Sequence, residues 1–76
     1  MKELLIYIAR SMVDKPDEVS VTEVEKEDEL VLELRVAPGD MGKIIGRQGR
    51  TSKEIRAIIK AASASEPRRV SVDIVD

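Results

Sequence analysis

Leu30, Leu32, Leu34 and Val36 alternate with Val31, Glu33 and Arg35. A period of two places every second side chain on one face of an extended chain, so residues 30–36 predict a strand with one buried face. Such a strand cannot stand alone, because its leucine face needs a second layer to cover it. The flanking sequence must supply both partner strands and that layer. Upstream, Val19 and Val21 alternate with Ser20 and Thr22, predicting a strand to about Lys26; Val24 is out of phase, which points to a bulge or early fraying there. Glu27-Asp28-Glu29 reads as the hairpin turn between the two strands. Downstream, Val70, Val72 and Ile74 inward with Ser71 and Asp73 outward predict a last strand after Pro67.

Helical spacing supplies the covering layer. Residues 2–14 carry Leu5, Ile8, Ala9 and Met12 at helical intervals, and Lys15-Pro16 is expected to end that helix. Pro38-Gly39-Asp40 closes the central strand, with Asp40 placed to cap a short helix through Ile45. Thr51 and Glu54 have the spacing of a capping box opening another helix, whose apolar stripe is Ile55, Ile58, Ile59 and Ala62 and which frays over residues 61–65. The predicted order is α-β-β-α-α-β. The first two strands pair as an antiparallel hairpin and the last returns parallel to the second. The result is an α+β fold with a three-stranded mixed sheet, three helices packed on one face, and Ser20, Thr22, Glu33, Arg35, Ser71 and Asp73 on the open face. No repeat or linker divides it, so residues 1–76 are read as one domain.

Composition removes several functional classes. The chain has no cysteine, so it offers no disulfide framework and no thiolate metal site. It has no histidine, the commonest general base and transition-metal ligand. Its carboxylates cluster at residues 27–29 and 14–18, where solvation accounts for them. With no Ser–His or Cys–His pairing, no metal-ligand spacing and a single small core, the reading is that the protein is not an enzyme and takes no cofactor, metal or small-molecule substrate. The apolar run from Leu4 to Ala9 is too short to span a bilayer, which predicts a cytoplasmic protein without membrane association.

Charge is distributed unevenly. The net charge is −2, yet between Met41 and Lys60 stand Lys43, Arg47, Arg50, Lys53, Arg56 and Lys60 against Glu54 alone. That stretch therefore carries +5 and the remainder −7, a basic surface on an acidic body. Within it lies Gly42-Lys43-Ile44-Ile45-Gly46-Arg47-Gln48-Gly49-Arg50. Gly46 and Gly49 interrupt a helical pattern and form a bare turn between two helices. Unsatisfied N–H groups at the start of the second helix, with cations around them, would suit a phosphate. A GxxG spacing alone arises by chance in about one chain of this size in three, so its setting must carry the argument.

That stretch resembles the (I/V)-I-G-x-x-G signature of KH domains, and the element order is similar to the bacterial type II arrangement. Over essentially all 76 residues the chain is similar to the KhpA family of stand-alone bacterial KH proteins, down to Pro38-Gly39-Asp40 and the Lys-Ala-Ala tract at 60–62. The resemblance implies a cytoplasmic single-stranded RNA-binding protein whose groove holds about four nucleotides, with the GxxG turn on the phosphate backbone. It also implies an RNA-chaperone-like role with a link to cell-shape or cell-wall regulation. Partners implied are a second copy of the chain or a larger KH-containing protein of the KhpB/Jag type. The candidate RNA contacts are Gly46, Arg47, Gln48, Gly49 and Arg50, with Lys43 and Lys53 as phosphate neighbours and Ile44 and Ile45 as groove wall. Ile44, Ile45 and Ile55 divide between groove and core, at least one belonging to the core; Arg56 and Lys60 are unassigned. The alternatives are a protein-interaction module using the same fold as a dimerisation scaffold, and single-stranded DNA binding.

Overall fold

In the computed structural model, which describes residues 1–75, α1 runs over Lys2–Arg10 and a 3-10 turn over Pro16–Glu18. The hairpin follows as β1 (Ser20–Glu25) and β2 (Glu29–Arg35). A 3-10 turn at Pro38–Asp40 leads into α2 (Met41–Ile45). A third 3-10 turn, Arg47–Gly49, joins α2 to α3 (Arg50–Ala62), and β3 (Arg69–Ile74) closes the order. Asp76, the last residue of the expected domain, lies outside the described residues.

The sheet has the order β1-β2-β3. β1 and β2 are antiparallel with Val21 opposite Leu34, and β2 and β3 are parallel with Leu32 opposite Val72. The pattern of two sends Val21, Leu30, Leu32, Leu34, Val70 and Val72 inward. There they meet Leu5 and Ala9 of α1, Ile44 of α2, and Ile55 and Ile59 of α3. The largest fully buried side chains among these are Leu5, Leu32, Leu34, Ile44, Ile55 and Ile59. Truncating any one to alanine costs on the order of 2–5 kcal/mol, a large share of a small domain's stability.

Several local expectations change. α1 stops at Arg10 rather than at residue 14. The Ser11 hydroxyl donates back to the Ile8 carbonyl at 2.7 Å, which competes with continued helix. Further on, the N–H groups that residues 14 and 15 would have given to the helix are donated elsewhere. They go to Asp40, whose Oδ1 accepts from the Asp14 N–H at 3.2 Å and whose Oδ2 accepts from the Lys15 N–H at 3.0 Å. Asp40 thus stands at the N-cap position of α2, as expected, but its side chain makes no capping bond to that helix. It is 3 % exposed and fastens the segment after α1 to the entry of α2.

The capping box at Thr51 and Glu54 does not form, because α3 begins at Arg50 with Gly49 in the N-cap position, two residues before Thr51; instead the Ser52 hydroxyl donates to the Gly49 carbonyl at 2.9 Å. Val24 makes no bulge. It pairs regularly with Val31 on the open face, where the two half-buried valines cover each other. The turn lies one residue earlier than expected, at residues 26–28, since β1 ends at Glu25 and Glu29 opens β2, where its side chain accepts from the Ser71 hydroxyl at 2.7 Å. Ile58 and Ala62 leave the buried stripe of α3, whose core-facing positions are Ser52, Ile55 and Ile59, with Ser63 buried just past its end.

Candidate nucleic-acid interface

The candidate site is the joint between α2 and α3. Gly46 ends α2 at φ 74°, ψ 177°, with its N–H donated to the Gly42 carbonyl at 2.8 Å. A side chain cannot be placed there. A Cβ on Gly46 would stand inside contact distance of the Thr51 hydroxyl, 2.6 Å from Thr51 Cβ and 2.9 Å from the Thr51 backbone nitrogen. The bare Cα therefore lets α2 and the first turn of α3 touch, a structural reason for glycine that the motif alone does not reveal. Gly49 differs. Its φ of 76° favours glycine, but a Cβ there would meet only the Ser52 hydroxyl oxygen at 3.9 Å.

Gln48 (φ 57°, ψ 27°) and Gly49 (φ 76°, ψ 11°) have the dihedrals of a type I′ turn, closed by the Arg50 N–H donating to the Arg47 carbonyl. Among the described residues, Gln48 is the one non-glycine residue at positive φ. The left-handed pair tips the peptide units outward at the start of α3. Among the described residues, no carbonyl or side chain accepts from the N–H groups of Arg47 and Gln48. Two free donors at the positive end of a 13-residue helix form a concavity suited to an anion.

The cations around this turn are not equivalent. Arg47, Arg50 and Lys53 are exposed and make no ion pair among the described residues. Lys43, expected beside them, is held elsewhere. Its Nζ is 3.0 Å from Asp14 Oδ2 and 3.9 Å from Asp40 Oδ1. The hydrogen bond that Lys43 donates to Asp14, and then the Asp14 charge, hold the pKa of the Lys43 ammonium above its ordinary value, so the group stays charged at any physiological pH. Arg56 crosses from α3 to the free edge of β3, its Nε donating to the Val72 carbonyl at 3.3 Å. Lys60 lies at the far end of α3, where an open cleft is lined by Ser63, Glu66, Pro67, Arg68 and Arg69.

The three isoleucines now separate. Ile44 is fully buried and belongs to the core, which removes it from the groove wall; Ile55, 2 % exposed, joins it. Ile45 is 40 % exposed beside Gly46 and remains available to a ligand. Sequence reasoning missed Asp14 and Asp40 as residues that act on the site. Their signal was present only as isolated charges, because the partner in each case lies 25 or more residues away or on another element. Among the described residues no cluster of carboxylates could hold a metal, and no helix is long and apolar enough to cross a membrane.

A three-stranded mixed sheet covered by helices, with a GxxG turn at an α2–α3 joint, defines a KH domain. Residues 2–74 match the family described as KhpA/KhpB, KH domain, and the chain belongs to that family. It is 59 % identical over 75 residues to the RNA-binding protein KhpA of Clostridium acetobutylicum, covering 99 % of this chain and 100 % of that one. Against the RNA-binding protein KhpA of Clostridium perfringens the identity is 53 %, with the same coverage of both chains. A crystal structure of Aquifex aeolicus Era bound to GDP and aluminium fluoride shares the fold with a TM-score of 0.65 at 21 % identity. That similarity covers 96 % of this chain and 28 % of the Era chain. The family is a KH-domain family and not an enzyme class.

Proposed function

We propose that the protein binds single-stranded RNA at the α2–α3 joint, as one KH module over residues 1–76, in the cytoplasm. The observation that carries this reading is the pair of N–H groups at Arg47 and Gln48, free among the described residues, set in a left-handed turn at the start of α3 beside three cations that make no ion pair among those residues. The names of its relatives support RNA as the ligand. One phosphate sits on the two N–H groups, with Gly46 and Gly49 leaving the approach bare. Arg47, Gln48 and Arg50 reach the flanking backbone, Lys53 a further phosphate, and Ile45 gives an apolar contact to a base. Without aromatic side chains beyond Tyr7 in α1, bases are held by aliphatic contact and hydrogen bonds rather than stacking, so one module binds weakly.

The expected measurement is fluorescence anisotropy of a short labelled RNA titrated at several salt concentrations. With three cations on the backbone, the logarithm of the binding constant falls against the logarithm of salt with a slope of about −2. Absence of binding at low salt, or equal affinity for the same RNA in a fully paired duplex, would sink the reading. Single-stranded DNA of the same sequence separates RNA preference from general single-strand binding.

Self-association is the second part of the proposal, supported by two exposed apolar side chains outside the RNA site, Tyr7 and Ile58, which are 73 % and 47 % exposed. Two linked copies would offset weak single-site binding through effective concentration. A larger KH-containing partner of the KhpB/Jag type would serve the same end. Sedimentation velocity at tens of micromolar is expected to show a dimer, and a monomer throughout that range counts against the homodimer. The family likeness supports an RNA-chaperone-like role with a link to cell-shape or cell-wall regulation.

A further inference from the structure

Lys43 stands three residues before Gly46, on the helix that leads into the turn, where residues at that spacing are neighbours on one face. Its charge nevertheless contributes little to the field over the turn, because two carboxylates flank its ammonium. Asp14 Oδ2 lies at 3.0 Å and Asp40 Oδ1 at 3.9 Å. The two acids have different standing. Asp40 is buried and engaged by two backbone N–H groups, so its position is fixed by the fold. Asp14 is exposed, and its side chain makes one contact among the described residues, the bond to Lys43. Its placement comes from Asp40, which holds the Asp14 backbone N–H and so presents the free carboxylate to Lys43.

We propose that Asp14 is an internal competitor for the RNA backbone: its carboxylate occupies Lys43 in the place a phosphate oxygen would take, and so withholds one phosphate contact from the site. The proposal rests on the RNA-binding reading above. A carboxylate and a phosphate oxygen offer a lysine ammonium the same kind of acceptor, and the ion pair is solvent-exposed, so exchange between the two is open to competition. Removing the Asp14 charge while keeping its backbone N–H leaves the Asp40 fastening in place. Lys43 then keeps only the longer contact to Asp40, at 3.9 Å, and its ammonium is free to swing toward the turn. The residue at position 14 therefore sets affinity without touching RNA. It is a positioning residue, and the segment after α1 becomes part of the control of the site.

The test uses the native chain, Asp14→Asn, Lys43→Gln and the double variant. Each is titrated into the same short labelled single-stranded RNA across a salt series, with thermal unfolding as the check on folding. Asp14→Asn is expected to tighten binding about three- to tenfold at low salt and to steepen the salt slope by about 0.7, the value of one added phosphate contact on a single strand. Lys43→Gln alone leaves the slope unchanged, and in the double variant it cancels the gain from Asp14→Asn. If Asp14→Asn alters neither affinity nor slope while the native chain binds RNA, the proposal is overturned and the RNA-binding reading stands. If Lys43→Gln alone flattens the slope by about 0.7, Lys43 already holds a phosphate and the proposal is likewise overturned. A native chain that binds no RNA overturns the RNA-binding reading and this proposal together.

Discussion

Arg47→Asp combined with Gln48→Asp, with both glycines kept, abolishes RNA binding and leaves the fold intact. The two substitutions move the local charge by three units in the anionic direction. They also place carboxylates in front of the Arg47 and Gln48 N–H groups, the donors proposed to take the phosphate. Charge-assisted hydrogen bonds contribute about 1.5–3 kcal/mol each, so losing two lowers affinity at least about 100-fold. The fold tolerates the change for a conformational reason. Residue 48 sits at φ 57°, where aspartate is more at ease than glutamine. A carboxylate near the N-terminus of α3 also complements the helix dipole. Fluorescence anisotropy with a short RNA reads the first effect and circular dichroism the second. Unchanged affinity in a folded double variant would falsify the assignment of the turn as the phosphate site.

Gly46→Ala and Gly49→Ala have unequal effects although the motif treats the two glycines alike. At Gly46 a Cβ meets the Thr51 backbone nitrogen at 2.9 Å as well as the Thr51 side chain. Trimming Thr51 therefore cannot relieve the clash. With φ 74° and ψ 177° the residue also occupies a region that is essentially glycine's alone. Gly46→Ala is expected to cost about 3 kcal/mol or more and to push α2 away from α3, so RNA binding is lost even in the molecules that remain folded. Gly49→Ala makes only an ordinary contact with the Ser52 hydroxyl and bears the left-handed penalty of about 1 kcal/mol. Urea denaturation of both variants measures the difference in midpoint. Equal destabilisation would show that the α2–α3 contact is not what demands Gly46.

Where the sequence reading held, the physics was local and periodic. The alternation of Leu30, Leu32 and Leu34 requires a half-buried strand whatever surrounds it, and the same pattern fixes the inward faces of Val21 and of Val70 and Val72. Gly46 and Gly49 mark a break between helices because their side-chain-free backbones admit conformations that other residues avoid. Where it failed, a distant group decided. Met12 and Val13 fit a helical pattern, but the residues after them leave the helix when Asp40 takes the N–H groups of Asp14 and Lys15. Thr51 and Glu54 have capping-box spacing, yet starting α3 at Arg50 moves Thr51 past the capping position. Lys43 looks like any other cation in a basic stretch until Asp14, 29 residues earlier, is brought to it.

The sequence by itself determined the order of elements, the aliphatic core faces, the glycine turn between two helices and the collection of positive charge around it. Each follows from periodicity or from the conformational range of single residues, which act over a few bonds. Tertiary structure alone decided which groups at that turn are free. Ile44 and Ile45 are neighbours in sequence and equal in chemistry, and only the direction in which α2 packs buries one and exposes the other. Likewise Lys43 and Arg47 carry the same charge four residues apart, but a loop fastened by Asp40 pairs one and leaves the other open to solvent. Contacts between elements distant in the chain are set by packing of the whole core, and no local pattern records them.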